Sequence, residues 1–250
     1  MIICVIQARV GSTRLFGKVL KKIGKKSVIE HMLSQVIKSK LINKVIVATT
    51  KKKNDDKLCK LLKSKNFQFF RGSEKDVLDR IFQCIKNYNP KYLVRLTADC
   101  PFIDSRIIDS TIKLIKKSNR FDYVSNVHPP SFPDGMDVEV VKFKTFKKIF
   151  KTANLKSERE HVTTKIWMNP KKFRIGVLKN KKDFSNIRIT LDYTKDLILL
   201  KKLYKLMDNK IQSLDKIQQL WQNNLSLQRI NSNFKREEGL KKSLKFDYQL

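Results

Sequence analysis

An α/β fold on a mostly parallel sheet is what the 250-residue sequence predicts, and three observations predict it. Short apolar runs that read as strands covered on both faces alternate with amphipathic stretches at helical spacing. Hydrophobic residues make up 41% of the chain, enough for a sizeable core. Glycine occurs only seven times, yet three of the seven fall within the first 24 residues, two of them bracketing the loop after the first strand.

The first strand is the run Ile2, Ile3, Val5, Ile6. A glycine-containing loop, Gln7 to Gly17, follows, and then a helical pattern through Ile29, Met32, Leu33, Val36 and Ile37. Lys44 to Thr49 reads as a second buried strand, Asp55 to Lys65 as a helix and Gln68 to Phe70 as a short strand. Asp76 to Tyr88 is amphipathic, with Val77, Leu78, Ile81, Phe82 and Ile85 on one face. Tyr92 to Leu96 is the next strand and runs into Thr97-Ala98-Asp99-Cys100-Pro101; Ile107 to Lys117 returns as a helix. Beyond residue 120 the texture changes. Asp122 to Asn126 and Val138 to Val141 read as strands on either side of a loop rich in turn formers, Pro129, Pro130, Pro133 and Gly135. Helices are expected at Thr145 to Ala153, Glu160 to Asn169 and Asp196 to Met207, and strands at Phe173 to Leu178 and Ile187 to Leu191. Residues 208–250, rich in Gln, Asn and Lys with sparse apolar positions, read as a helical extension of a domain spanning 1–207, placed either at a dimer contact or on the rim of the active site.

Composition excludes several classes. No apolar run approaches the roughly 18 to 20 residues of a membrane span. The N-terminus lacks the basic start and long apolar stretch of a signal peptide, so a cytoplasmic protein is expected. The four cysteines stand far apart without a CxxC pair, which is neither a disulfide framework nor a zinc site. The net charge of +32 invites a nucleic-acid reading. Of 55 basic residues, however, 43 are Lys spread along the whole chain, whereas nucleic-acid footprints cluster and favour Arg.

Candidate chemistry sits at the carboxyl ends of strands, where open α/β sheets bind ligands. In Gln7 to Lys18 the glycines Gly11 and Gly17 allow close approach of backbone N–H groups to phosphate oxygens, and Arg9, Arg14 and Lys18 bring positive charge. The spacing is not that of a P-loop, because five residues separate the glycines and Val19 follows the Lys; GxGxxG is also absent. The plain alternative is a basic surface loop. Asp99 directly follows a strand and could hold Mg²⁺; it could equally cap a turn. Asp192 ends the segment Ile187 to Leu191, and it or Thr194 could simply cap the next helix. Asp134 to Glu139 supplies three acids, Asp134, Asp137 and Glu139, and Glu158-Arg159-Glu160-His161 four ionisable groups, with Arg159 a natural carboxylate partner. The second cluster also reads as a helix start capped by Ser157. His31 and His128 read as structural or surface residues.

The loop Ala8-Arg9-x-Gly11-Ser12-x-Arg14-Leu15-x-Gly17-Lys18 resembles the signature of the cytidylyltransferases that activate acidic sugars, including the acylneuraminate and 3-deoxy-manno-octulosonate enzymes, and most of all their spore coat polysaccharide relatives. The similarity continues through Phe70 to Ser73, Asp76 to Arg80, Thr97 to Pro101, Asp122 to Asn126, Pro133 to Glu139, Ser157 to Thr163 and Leu191 to Tyr193. It implies the doubly wound nucleotide-diphospho-sugar transferase fold, and transfer from CTP to an acidic sugar giving CMP-sugar and pyrophosphate. By position, the resemblance assigns Ala8, Arg9, Gly11, Ser12, Arg14, Lys18, Arg80 and Thr97 to the nucleotide, with Arg9, Lys18 and Asp99 catalytic. It makes Asp99 and Asp192 the Mg²⁺ carboxylates. Asp137, Glu139, Glu158, Arg159 and His161 remain for the sugar acceptor, and a homodimer is implied by resemblance alone. Phe16 stands where the family usually has Pro, which removes a rigid residue from the loop. The rival readings are a glycosyltransferase, a transferase using another nucleotide, and a polyanion-binding protein on a transferase scaffold.

Overall fold

Ile2–Gln7 forms β1, an interior strand of a seven-stranded sheet. Its apolar run is continuous because both faces are covered. Ile3 and Val5 pack into one hydrophobic layer and Cys4 and Ile6 into the other, all four inaccessible to solvent. The computed structural model describes residues 1–117 and 120–248. In chain order, β1 is followed by a small hairpin, β2 (Lys22–Ile23) and β3 (Lys26–Ser27), which turns at Gly24 and was not expected from the sequence. Then come α1 (Val28–Val36), β4 (Lys44–Thr50), α2 (Asp56–Ser64), β5 (Gln68–Gly72), α3 (Val77–Ile85), β6 (Tyr92–Thr97), α4 (Ser105–Lys117) and β7 (Tyr123–Ser125). β8 (Glu139–Lys142), α5 (Phe143–Thr152), α6 (Lys156–His161), α7 (Thr164–Trp167), β9 (Ile175–Val177) and α8 (Thr194–Leu206) complete the sheet and its cover. The extension carries α9 (Leu214–Gln222), α10 (Leu225–Gln228) and α11 (Glu238–Lys245).

The strand order is β5-β4-β1-β6-β8-β7-β9. β5, β4, β1 and β6 are parallel, β8 is antiparallel to both its neighbours, and β9 returns parallel to β7. This single reversal has a functional effect. Because β8 runs against β6, its entrance at Glu139 lies beside Arg95 near the exit of β6, so the loop 126–138 arrives at the same edge as the loops after β1 and β6. Helices α1, α4 and α8 pack on one face through residues such as Met32, Ile108 and Leu200, while α3 and α5 cover the other through Leu78, Ile81 and Phe146. Each such buried aliphatic side chain contributes on the order of 1.5–3 kcal/mol.

Two expected elements differ. Ile187 to Leu191 is not a ladder strand, although Ile187, Ile189 and Leu191 are buried as its alternation requires. It runs extended and pairs through one bridge, Arg188 opposite Asp134, with flanking bonds from Asp134 N to the Ile187 carbonyl (2.8 Å) and from Ile189 N to the Asp134 carbonyl (2.8 Å). Gly135, at φ +107°, permits this approach, since a Cβ there would stand 2.7 Å from the Ile189 carbonyl carbon. The helix expected over Glu160 to Asn169 is broken into α6 and α7 at Val162, whose φ of +68° no helix tolerates. The break turns Thr163 toward Glu139, and the side chain of Val162 is fully buried. Among the described residues no helix is long and apolar enough to cross a membrane.

Candidate active site

The loop after β1 is pinned before it reaches any ligand. Val10 N donates to Asp55 Oδ1 (2.6 Å), and Asp55 Oδ2 accepts from the amide (3.1 Å) and hydroxyl of Thr50 at the end of β4. Asp55 is thereby buried with all its acceptors used on backbone and hydroxyl donors. Gly17 closes the loop by donating to the Val10 carbonyl (2.9 Å), and its left-handed φ of +69° starts the short turn Lys18–Leu20.

That turn sends Lys18 under the loop. Its Nζ lies 2.7 Å from Asp99 Oδ2 and 2.8 Å from Asp192 Oδ1, so one ammonium clamps a carboxylate at the exit of β6 to one at the entrance of α8. Arg14 adds a bond to Asp192 Oδ1 (2.6 Å). Burial disfavours both charged forms, but the pairing wins: Lys18 is raised above its ordinary value and Asp99 held well below the usual carboxylate range.

Beside this clamp opens a cavity of about 230 Å³. Its wall is a charge lattice. Arg188 spans Asp134 (2.9 Å), Asp196 (3.0 Å) and Asp192 (3.3 Å), and Asp196 also receives the amides of Asp192 (2.8 Å) and Tyr193 (2.9 Å). Glu139 is held by Arg95, by Tyr123 Oη (2.6 Å) and by Thr163, so that it stays ionised despite burial. Asp137 pairs with Arg236. Burial pushes Asp134 up to about 6 and Asp137 to about 7, with Arg236 opposing and neighbouring carboxylates reinforcing the rise. The rings of His128 and Trp167, stacked 3.9 Å apart, form an aromatic wall.

The expected residues divide. Arg14, Thr97, Asp99, Asp137, Glu139, His161 and Asp192 line the cavity, and Lys18 reaches it through the two aspartates. His161 Nε2 bonds Ser243 Oγ (3.0 Å), and burial lowers its pKa. Ala8, Arg9, Gly11 and Ser12 lie on the loop outside the cavity, with Arg9 Nη1 3.6 Å from Glu74. Arg80 is packed against Gly72; it donates to the Ser73 carbonyl (2.6 Å), leaves its buried Nε without a partner among the described residues, and is pushed down to about 10 by burial and by Arg9. Glu158 and Arg159 stand apart from the cavity. Glu158 accepts the amides of Asn154 (3.0 Å) and Leu155 (3.4 Å) and pairs with Lys165, while Arg159 binds Asp76 (2.5 Å) and the carbonyl of Ala153 (3.2 Å). Sequence reasoning missed Arg95, Arg188, Thr163, Trp167 and Arg236. For the first two a signal existed, because each is a lone arginine inside an otherwise buried apolar run.

A cleft of paired carboxylates and basic groups beneath a glycine loop can bind a triphosphate and neutralise charge on a transferring phosphoryl group. Comparison with known proteins agrees. The Cytidylyltransferase family model matches residues 3–236. The chain is 38% identical over 238 residues to an uncharacterised protein of Methanocaldococcus jannaschii, covering 94% of this chain and 96% of that one. It is 33% identical over 212 residues to the spore coat polysaccharide biosynthesis protein SpsF of Bacillus subtilis, covering 82% and 86%. A cytidylyltransferase structure from Leptospira borgpetersenii superposes with a TM-score of 0.86 at 33% identity, covering 91% of this chain and 97% of that chain. The chain belongs to the cytidylyltransferase family and has its doubly wound nucleotidyltransferase fold.

Proposed function

We propose that this cytidylyltransferase joins CTP to an acidic sugar, giving CMP-sugar and pyrophosphate for surface polysaccharide assembly. The observation that carries the reading is the Lys18 ammonium clamped between Asp99 and Asp192 at the carboxyl end of β6. A cation already occupies the place between two hard oxygen donors, which is the donor set Mg²⁺ takes up together with phosphate oxygens. Asp99 and Asp192 would hold that ion, and when bound it would polarise the α-phosphate and spread the developing charge. Lys18 and Arg14, which now neutralise those carboxylates, are the cations left to pair with the triphosphate. Arg9, Gly11 and Ser12 would receive phosphate and ribose along the loop, and Arg80 would border the base. A sugar hydroxyl then attacks the α-phosphorus as the bond to pyrophosphate breaks; the residues act by position and charge, without a covalent intermediate. SpsF is named for spore coat polysaccharide biosynthesis, and an activated surface sugar is the corresponding product class here.

Thermal melting with Mg²⁺ and each nucleoside triphosphate tests the assignment, because a ligand that binds the native state raises Tm by mass action. CTP is expected to raise it most. Equal shifts with all four would reduce the site to a generic polyphosphate cradle and remove the CTP assignment.

A further inference from the structure

The C-terminal extension delivers residues to the cavity that the sheet cannot. Residues 231–247 form a strap along one wall of the cavity, fixed at four places. Asn231 Nδ2 donates to the Arg188 carbonyl (3.1 Å) and Asp196 (2.8 Å), and Phe234 stacks on Tyr193 at 4.1 Å. Glu238 accepts from Tyr193 Oη (2.8 Å) and Lys235 N (2.9 Å), and Ser157 donates to Asp247 through its amide (2.9 Å) and hydroxyl (2.5 Å). Lys235, Arg236 and Glu237 thereby enter the cavity wall.

Five arginines and lysines line that cavity: Arg14, Arg95, Arg188, Lys235 and Arg236. Four are committed or outlying. Arg188 is spread over three carboxylates with a side chain 8% exposed. Arg95 is spent on Glu139 and on Gln7 Oε1 (3.1 Å). Arg14 belongs to the loop after β1 and is held by Asp192. Lys235 is exposed, a point charge on a flexible stem. Arg236 differs. Its planar fork has five N–H donors; one bonds the Phe132 carbonyl (3.1 Å), one bonds Asp137, and Nε is buried with no partner among the described residues. A guanidinium held by a stapled backbone, with donors to spare, suits two-point recognition of a carboxylate.

We infer that Arg236, carried to the cavity by the 231–247 strap, is the residue that binds the carboxylate of the acceptor sugar; this rests on the acidic-sugar reading above. Its present partner is Asp137, which sits among Asp134, Asp99 and Glu139, and these carboxylates together with burial oppose the charge that Arg236 favours.

The test uses CTP, Mg²⁺ and two probe acceptors, 3-deoxy-manno-octulosonate and N-acetylneuraminate, each beside its carboxamide analogue, with pyrophosphate release as the readout. The wild-type protein is expected to prefer acid over amide. In Arg236→Gln the acceptor KM for the acid is expected to rise about 10–100-fold, the range for a hydrogen bond between charged groups. The KM for CTP and turnover of the amide should stay within about twofold, and Arg236→Lys should recover part of the loss. Asp137→Asn removes the competitor and should lower the acid KM a few-fold, which tests the inference even if the Arg236 variants fold poorly. An Arg236→Gln protein that keeps the wild-type preference, or an Asp137→Asn protein with a raised acid KM, overturns the role of Arg236 and leaves the acceptor class standing. A wild-type protein that uses acid and amide equally, or neither probe, overturns the acidic-sugar reading and the inference with it.

Discussion

Asp99 and Asp137 face the same cleft, both half-buried and both beside a basic side chain, yet they lie on opposite sides of the ordinary carboxylate range. Asp99 has Lys18 at 2.7 Å, acting both as a charge and as a hydrogen-bond donor, with further hydrogen bonds from Thr97 and the backbone, so its charge is favoured over its neutral form. Asp137 has Arg236, but it also feels Asp134, Asp99 and Glu139, and burial prevails. Proximity to a cation therefore does not settle ionisation by itself; the balance of all neighbours does. One end of the cleft is a permanent anion ready for a metal or ammonium, and the other is a carboxyl group poised to change state near neutral pH.

The largest expected effect is at the permanent anion. Asp99→Asn should lower kcat by about 10³-fold or more, the scale for removing a main electrostatic stabiliser of phosphoryl transfer, while circular dichroism stays that of the wild type. Retained turnover would place the metal or the chemistry elsewhere. Next comes the titrating end. A group whose folded pKa is lowered, as at Asp99, stabilises the fold above pH ~4 and loses that contribution as the pH falls. Asp137 has the opposite sign: its folded pKa of about 7 lies above the ordinary 3.8, so the native state binds the extra proton and stability declines as pH rises from about 4 to about 7. Denaturant melts of Asp137→Asn should thus gain on the wild type across that window, by at most roughly 1 kcal/mol per pH unit, and run parallel above it. A gain that grows toward low pH would contradict the assignment. The smallest effect is predicted for Arg159→Ala, which unties α6 from Asp76 at the start of α3. It should lower stability by about 1 kcal/mol and leave the acceptor KM unchanged, in contrast to Arg236→Gln.

What could be read from the sequence follows from how local each signal is. β1, β4 and β6 declare themselves because strands buried on both faces are unbroken apolar runs, and the loop between β1 and Lys18 because glycine and charge cluster within a dozen residues. Ile187 to Leu191 carries a strand's alternation, yet its partner is a loop shaped by Gly135, so burial arises without a ladder. The break at Val162 has no sequence mark, since valine does not ordinarily accept a positive φ; the buried bond from Thr163 to Glu139 accompanies it. Asp99 and Asp192 stand at the ends of readable elements, whereas Arg236 meets Asp137 across 99 positions from a segment that looks like polar filler.

The strap also imposes an order on synthesis. Domains emerge from the ribosome amino end first, at about 5–20 residues per second, so Lys18, Asp99 and Asp192 are made before residues 231–247, whose Phe234, Glu238 and Asp247 then pin Tyr193 and Ser157. A nascent chain interrupted near residue 230 would carry Lys18, Asp99 and Asp192 but lack Lys235, Arg236 and Glu237 from the cavity wall. Only a chain read through to the strap therefore has the whole cavity wall.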